Sequence, residues 1–429
     1  MTTAEQDRHR RGAFAALTSR NYRIYLCGQS LANTGTWVQS IAQDWLVFDL
    51  THSSTAVGVT MALQFLPIMA LGLHTGLIAD RVSKRRILLI TQTLNAIATA
   101  ALAAITIAGA VRATDVYAFA LLSGLIFAFD APPRQAFVAE VAPPDQLRAA
   151  IALNGAVFQA TRLIGPAIAS LLIANVGTGW AFAANAACYI GPTIGLLRLR
   201  QSELVPAPVV RREPGALRTS ARYLRRRPDV LWTIALVGVF GTFGLNFPIV
   251  LTAMAKSAFH GGASTYGLFN MCLAVGSVAG ALLAGAGAGA RPKTSMIVVA
   301  AAGFGLLQTA AAFAPDMVLF LTLLCGMGFG NLVFQAMANS SVQLSIDPEL
   351  RGRVMGLYML VFIGGTPIGA PIIGAITNHY GARVGLAVCG IIPVLAVAVR
   401  AAAMAGTRSD DGGSAAPRAT VRVRAASSN

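Results

Sequence analysis

Of the 33 Lys and Arg residues in this chain, 29 fall at its two ends or in alternate gaps between a dozen apolar segments. A soluble fold has no reason to sort its charge this way, whereas a bilayer does, because loops on the cytoplasmic side retain Lys and Arg. Arg8, Arg10, Arg11, Arg20 and Arg23 precede the first segment, and Arg81, Lys84, Arg85 and Arg86 follow the second. Arg134 and Arg148 follow the fourth, nine arginines from Arg198 to Arg227 follow the sixth, and Arg291, Lys293, Arg351 and Arg353 continue the pattern in the second half. Five more lie between Arg400 and Arg424. Arg112, Lys256 and Arg383 occupy the opposite gaps, and Arg162 alone lies inside an apolar segment.

With 55% hydrophobic and 12% charged residues over 429 positions, the chain is too apolar for two or three soluble domains. Each apolar segment holds about 20 residues, enough to cross a hydrocarbon core as a helix. The expected fold is therefore all-α, with twelve transmembrane helices in two six-helix bundles. The predicted boundaries are a cytoplasmic tail at 1–22, bundles at 23–198 and 230–404, a cytoplasmic linker at 199–229 and a disordered cytoplasmic tail at 405–429. Both termini are expected inside the cell membrane, and one copy of the chain is expected to suffice. Within the linker, Leu217, Tyr223 and Leu224 among arginines suit either a short helix on the anionic leaflet or a solvated basic loop.

The formal charge of +16 is topological rather than a nucleic-acid footprint, since no soluble domain exists to carry one. The first segment carries Gln29, Asn33, Gln39, Gln43 and Asp44 with no small-residue cleavage site after it, so it reads as a retained helix. Five cysteines scattered singly through apolar segments give neither metal-ligand spacing nor a disulfide framework. Without a nucleophile elbow, a phosphate loop or a His cluster, an enzyme is not expected, nor any metal or cofactor.

The halves carry a faint repeat. Leu147 and Arg148 match Leu350 and Arg351, and Pro166 matches Pro371, at the same helix number in each half. Repeated halves with a substrate site between them are a transporter architecture.

The loop after the second segment, GLIADRVSKRRIL from Gly76 to Leu88, is the most specific motif. Gly76 admits a neighbouring helix, Asp80 ends its own helix, and Arg81, Lys84, Arg85 and Arg86 hold the connection inside. Beyond enforcing topology, the Asp80 carboxylate is placed to neutralise the positive N-terminus of a neighbouring helix and act as a latch.

Twelve segments in two sets of six, with Gly-x-x-Ala-Asp-Arg and basic residues after the second, make the chain resemble the major facilitator superfamily over nearly its whole length. Ser83 replaces a glycine usual in that loop, and in the second-half copy Ala284 stands where Asp80 maps. The resemblance implies that Asp80 contacts the inner end of helix eleven and favours the outward-facing state. The stretch DAPPRQAFVAEVAPPDQLRAAIALN with RLIGPAIAS downstream resembles the branch of enterobactin-exporter-like secretion transporters. Gly165 and Pro166 in helix five match the exporter pair, whereas Thr161, Ala169 and Ser170 do not supply its further glycines. Helix four shows no basic residue before Arg134, so the arginine that drug/proton antiporters carry midway down that helix has no counterpart here.

Polar residues at membrane depth nominate the transport site, since each is costly unless it faces a cavity or a partner. Gln29, Asn33, Thr36, Ser40 and Gln43 recur at three- or four-residue spacing and share one helix face. Asp44 stands beside them near the outer end, where water can reach it, and Asp130 lies near the inner end of helix four beside Arg134. Asp44, Asp130 and Arg162 are the coupling candidates. Arg162 lies past the midplane, and either binds an anionic substrate, pairs with Asp44 in one state, or is a fixed structural charge. Asn331, Gln335 and Asn339 in helix ten form a second polar face, for the cavity or for holding helices together.

By that resemblance the expected function is secondary active transport by alternating access, exporting a small organic molecule with a proton as the coupling ion. An importer or lysophospholipid flippase of the same fold, or a membrane sensor or scaffold, are the alternatives.

Overall fold

A backbone inside hydrocarbon must satisfy its own N–H and C=O groups, so an apolar segment crosses either as a helix or as part of a closed barrel. The computed structural model describes residues 15–204, 223–286, 292 and 294–412, with the backbone alone at 73, 74, 76–81, 285, 286, 348, 349 and 400–412. Among these residues the chain is helical, without strands.

The first half comprises α1 (Arg20–Thr51), α2 (Ser54–Arg81), α3 (Lys84–Ile107), α4 (Ala113–Val141) and α5 (Leu147–Val176). It closes with α6, in two pieces (Thr178–Cys188 and Ile190–Arg198). The second half begins with α7, an α-helix at Pro228–Val239 that continues through Phe240–Gly244, Phe247–Ala253 and Met254–Ala258. Then follow α8 (Ala263–Ala286), α9 (Thr294–Ala312), α10 (Met317–Ser345), α11 in two pieces (Pro348–Gly364 and Thr366–Tyr380) and α12 (Ala382–Gly412). Eleven helices among the described residues are long and apolar enough to cross a membrane. The twelfth is α1, 32 residues long, whose polar stripe lowers its hydropathy but which packs along α5 and α6 as part of the bundle.

Capping and proline chemistry explain the local breaks. Ser19 caps α1 by accepting from Tyr22 N at 3.3 Å, and Asp316 caps α10 by accepting from Leu319 N at 2.9 Å. In α7, Pro248 lacks an N–H and would crowd the carbonyl four residues earlier, that of Gly244. The helix widens into π-turns at Phe240–Gly244 and Met254–Ala258. Gln308 of α9 donates to the freed Gly244 carbonyl at 3.1 Å and so satisfies it.

The halves meet along two seams, α2 with α11 and α5 with α8. At Gly58 of α2 an added Cβ would strike the Ala370 carbonyl and approach Pro371 of α11, and at Gly267 of α8 it would strike Ser170 and the Pro166 carbonyl of α5. The two prolines matched by the sequence repeat therefore occupy equivalent places, one in each seam. Small residues at these points let the backbones approach closely.

Two elements differ from the sequence expectation. Arg134, counted with the cytoplasmic charges after the fourth segment, lies well inside α4, which runs on to Val141. The basic linker stretch at 205–222 is outside the described residues. Just beyond it, Leu224 is packed into the core and the Tyr223 hydroxyl donates to Asp347 at 3.3 Å, so this end folds against the protein. The last helix reaches Gly412.

Candidate functional site

Two polar constellations lie at opposite ends of the bundle. The first is close to the end bearing the basic loops. Asp130 and Arg134 are one helical turn apart on α4 and so share a face. Arg134 Nε donates to Asp130 Oδ2 at 2.5 Å and its Nη2 to Oδ1 at 2.7 Å, a bidentate pair. Thr91 of α3 adds a bond to Asp130 Oδ1 at 2.6 Å. Arg134 Nη1 reaches across to Gln29 Oε1 of α1 at 2.5 Å, and Gln29 Nε2 donates to Asn33 at 2.8 Å. With its amide oxygen turned to the guanidinium, Gln92 of α3 accepts from Arg134 at 3.2 and 3.0 Å. The cluster ties α1, α3 and α4 together, all within the first half.

The second constellation joins the halves at the other end. Tyr266 of α8 donates its hydroxyl to Asp44 Oδ2 at 2.9 Å, and its ring stacks on Trp45, centroids 6.4 Å apart. Lys256, at the end of α7, places Nζ 5.6 Å from the Trp45 ring and 3.9 Å from Asp49. Asp44 was expected where water can hydrate it, but it is 7% exposed. The second half covers it, which a reading of α1 alone does not show.

The sequence candidates divide between these places. Gln29, Asn33 and Asp130 join the first cluster, and Asp44 joins the second. Thr36 is exposed, Ser40 half-buried and Gln43 buried with its Oε1 unpartnered. Arg162 is half-buried with its guanidinium 5.7 Å from the Trp37 ring centroid. A Cβ at Gly165 would meet Trp37, so α5 and α1 are in close contact there. Asn331 accepts from Gln335 at 2.7 Å within α10. Lys84 pairs with Glu140 at 2.5 Å, while Arg85 donates to the Leu196 and Leu197 carbonyls at 2.7 and 3.2 Å and so ties α3 to the end of α6. At 76–81 the backbone alone is described, so the side chains of Asp80 and Arg81 lie outside the described residues.

Tyr266, Thr91 and Gln92 are functional candidates that sequence reasoning missed. Arg134 was expected beside Asp130 and among the cytoplasmic charges, but its reach to Gln29 of α1 was not foreseen. No local signal marks Tyr266, because its partner lies 222 positions away.

The chain matches the transmembrane secretion effector family over residues 11–421. It is 22% identical to the staphyloferrin A transporter of Staphylococcus aureus, over 86% of this chain and 92% of that one. It is 27% identical to the multidrug efflux pump Tap of Mycolicibacterium fortuitum, over 82% and 87%, and 24% identical to the enterobactin exporter EntS of Citrobacter koseri, over 76% and 78%. Its fold resembles a bacterial homologue of the lysosomal transporter Spinster, in an inward-facing and unoccupied conformation, with a TM-score of 0.69 at 13% identity, covering 88% of this chain and 96% of that one. A twelve-helix chain matched across nearly its whole length in this way belongs to the major facilitator superfamily, in its transmembrane secretion effector family.

Proposed function

We propose that this chain is a secondary active transporter that exports a small organic molecule across the cell membrane by alternating access, with a proton moving the other way. The two bundles, 23–198 and 230–404, are the rocking units, and both termini are cytoplasmic. The observation that carries the reading is the junction at the end away from the basic loops. Its contacts are a hydroxyl–carboxylate bond, a ring stack and an exposed ion pair at 3.9 Å, all between the halves. Contacts of this kind can be exchanged for water as a gate opens, whereas the bidentate pair inside the first half holds its helices as one unit.

Positive charge on the opposite loops supports reading this closed junction as the outer gate. Export follows the curated relatives, among them a siderophore exporter and a drug efflux pump. Asp80, at the cytoplasmic end of α2, serves as the inner latch, and Asp44 and Arg162 are the charged groups through which proton and cargo act, Asp130 being committed to Arg134 and Thr91.

Reconstitution into liposomes with an imposed pH gradient tests the reading. Gradient-driven flux of at least one compound from a broad panel of drugs, siderophores and metabolites is expected, collapsing with a protonophore. Flux that persists without the gradient removes the proton, and no flux for any compound removes transport.

A further inference from the structure

Arg162 has a position on α5 that its neighbours define. Gly165 faces α1, where a Cβ would meet Trp37, and Pro166 and Ser170 face α8, where they meet Gly267. At about 100° per residue, Arg162 projects between these two faces, about 60° from Gly165 and about 40° from Pro166. The side chain therefore enters the wedge between the two halves. On α8 the same construction places Asn270: Tyr266 faces α1 through Asp44, Gly267 faces α5, and Asn270 falls between them, one turn farther from the gate. A guanidinium and a carboxamide from opposite halves thus lie on faces that border one wedge, the Asn270 Nδ2 giving one of its two hydrogens to the Tyr266 carbonyl at 2.9 Å. Arg162 lies eight residues, about 12 Å, short of Ser170 along the helix, about two turns below the closed gate.

The charges around this wedge are otherwise spent. Asp44 accepts from Tyr266, Asp130 is held by Arg134 and Thr91, and Asp49 faces Lys256. Among the described residues Arg162 has no carboxylate within salt-bridge distance and no hydrogen bond; its recorded partner is the Trp37 ring. Phe158 lies 6.0 Å from that ring and extends the flat apolar wall. A guanidinium at membrane depth with its donors unused calls for an anion, and its planar fork matches a carboxylate in a bidentate fashion. Trp37 and Phe158 offer a surface on which a ring can stack.

Resting on the reading of this chain as a transporter, we propose that its cargo is an organic anion, an aryl carboxylate, whose carboxylate binds Arg162 and whose ring lies against Trp37 and Phe158. Asn270, with the Nδ2 hydrogen that its bond to the Tyr266 carbonyl leaves over, supplies a further hydrogen bond from the second half, so that a bound anion touches both units. A cation has no free acid to meet in this wedge.

The experiment compares 2-naphthoate, 2-naphthylmethylammonium and 2-naphthylmethanol, matched in shape but not in charge. Binding to the purified full-length protein is followed by tryptophan fluorescence, and flux is measured in proteoliposomes beside the broad panel. The expected result is preferential binding of naphthoate, weakened at least about tenfold in Arg162→Gln and partly restored in Arg162→Lys, since a monodentate ammonium replaces a fork. Tighter binding of the cation or the alcohol, naphthoate binding unchanged in Arg162→Gln, or no naphthoate binding to folded protein would each overturn the proposal. Driven flux of cations or neutral compounds alone would also defeat it while leaving the transport reading intact. Arg162-dependent naphthoate binding with no flux for any compound would support the anion site and remove transport instead.

Discussion

The Asp130–Arg134 cluster and the Asp44–Tyr266 gate are both built around a carboxylate on a membrane helix, yet they are wired oppositely. Asp130 takes three hydrogen bonds from Arg134 and Thr91, every one inside the first half. Asp44 takes one, and it crosses to the second half. A carboxylate sealed by a bidentate guanidinium resists separation, because breaking the pair leaves an uncompensated charge away from water. One held by a single hydroxyl can be released when water replaces the donor. On the proposed reading the same residue type makes a fixed joint in one place and a moving joint in the other, according to the number and origin of its donors.

The most severe way to probe this contrast is Arg134→Ala. Stranding Asp130 should cost about 3–5 kcal/mol, lowering the thermal unfolding temperature and the yield of folded protein in membranes, with transport lost as a consequence. An unchanged unfolding temperature would mean the cluster does not hold α1, α3 and α4 together.

Tyr266→Phe should leave the fold intact and act on the gate. Losing the hydroxyl leaves Asp44 without its donor in the closed state, a penalty of about 1–3 kcal/mol, or a shift of roughly 5–150-fold toward opening. A cysteine placed at Ser170, in a background cleared of the five native cysteines, should then react faster with a membrane-impermeant reagent from outside. Equal labelling rates would reduce the tyrosine to packing. At the small end, Lys256→Ala removes an ion pair whose members are 45% and 55% exposed. It should change closure by no more than about 1 kcal/mol and flux by less than about twofold, with the difference fading in high salt. A large effect there would move the weight of the gate from Asp44 to the surface pair.

Much of the architecture was legible before any coordinates. Charge alternation and segment length both report a local quantity, the preference of a stretch for lipid or for one side of it, so helix number and order could be read directly. The repeat was legible as well, and Pro166 and Pro371 landed in matching seams. The candidate site was legible only in part. The stripe on α1 exposed Gln29 and Asn33 as polar residues needing a partner, but the partner, Arg134, was counted with the cytoplasmic charges and not as a group that reaches back to α1. Pro132 and Pro133 lie inside α4, and the helix runs through them to Val141.

What the chain determines by itself is its solvent: an oily composition and sorted charge require a bundle of membrane-crossing helices, since no other arrangement satisfies the backbone and the arginines together. Which polar residues are joints, which are gates and which are left open was decided only by tertiary structure. Asp44 is buried because α8 covers it, and Arg134, neutralised by Asp130 of its own helix, is fixed in place because α1 and α3 bring Gln29 and Gln92 to its guanidinium; among the described residues Arg162 meets no acid, and lies against Trp37 instead. A helix dictates which side chains share its face, but the identity of what that face meets belongs to the packing of distant segments.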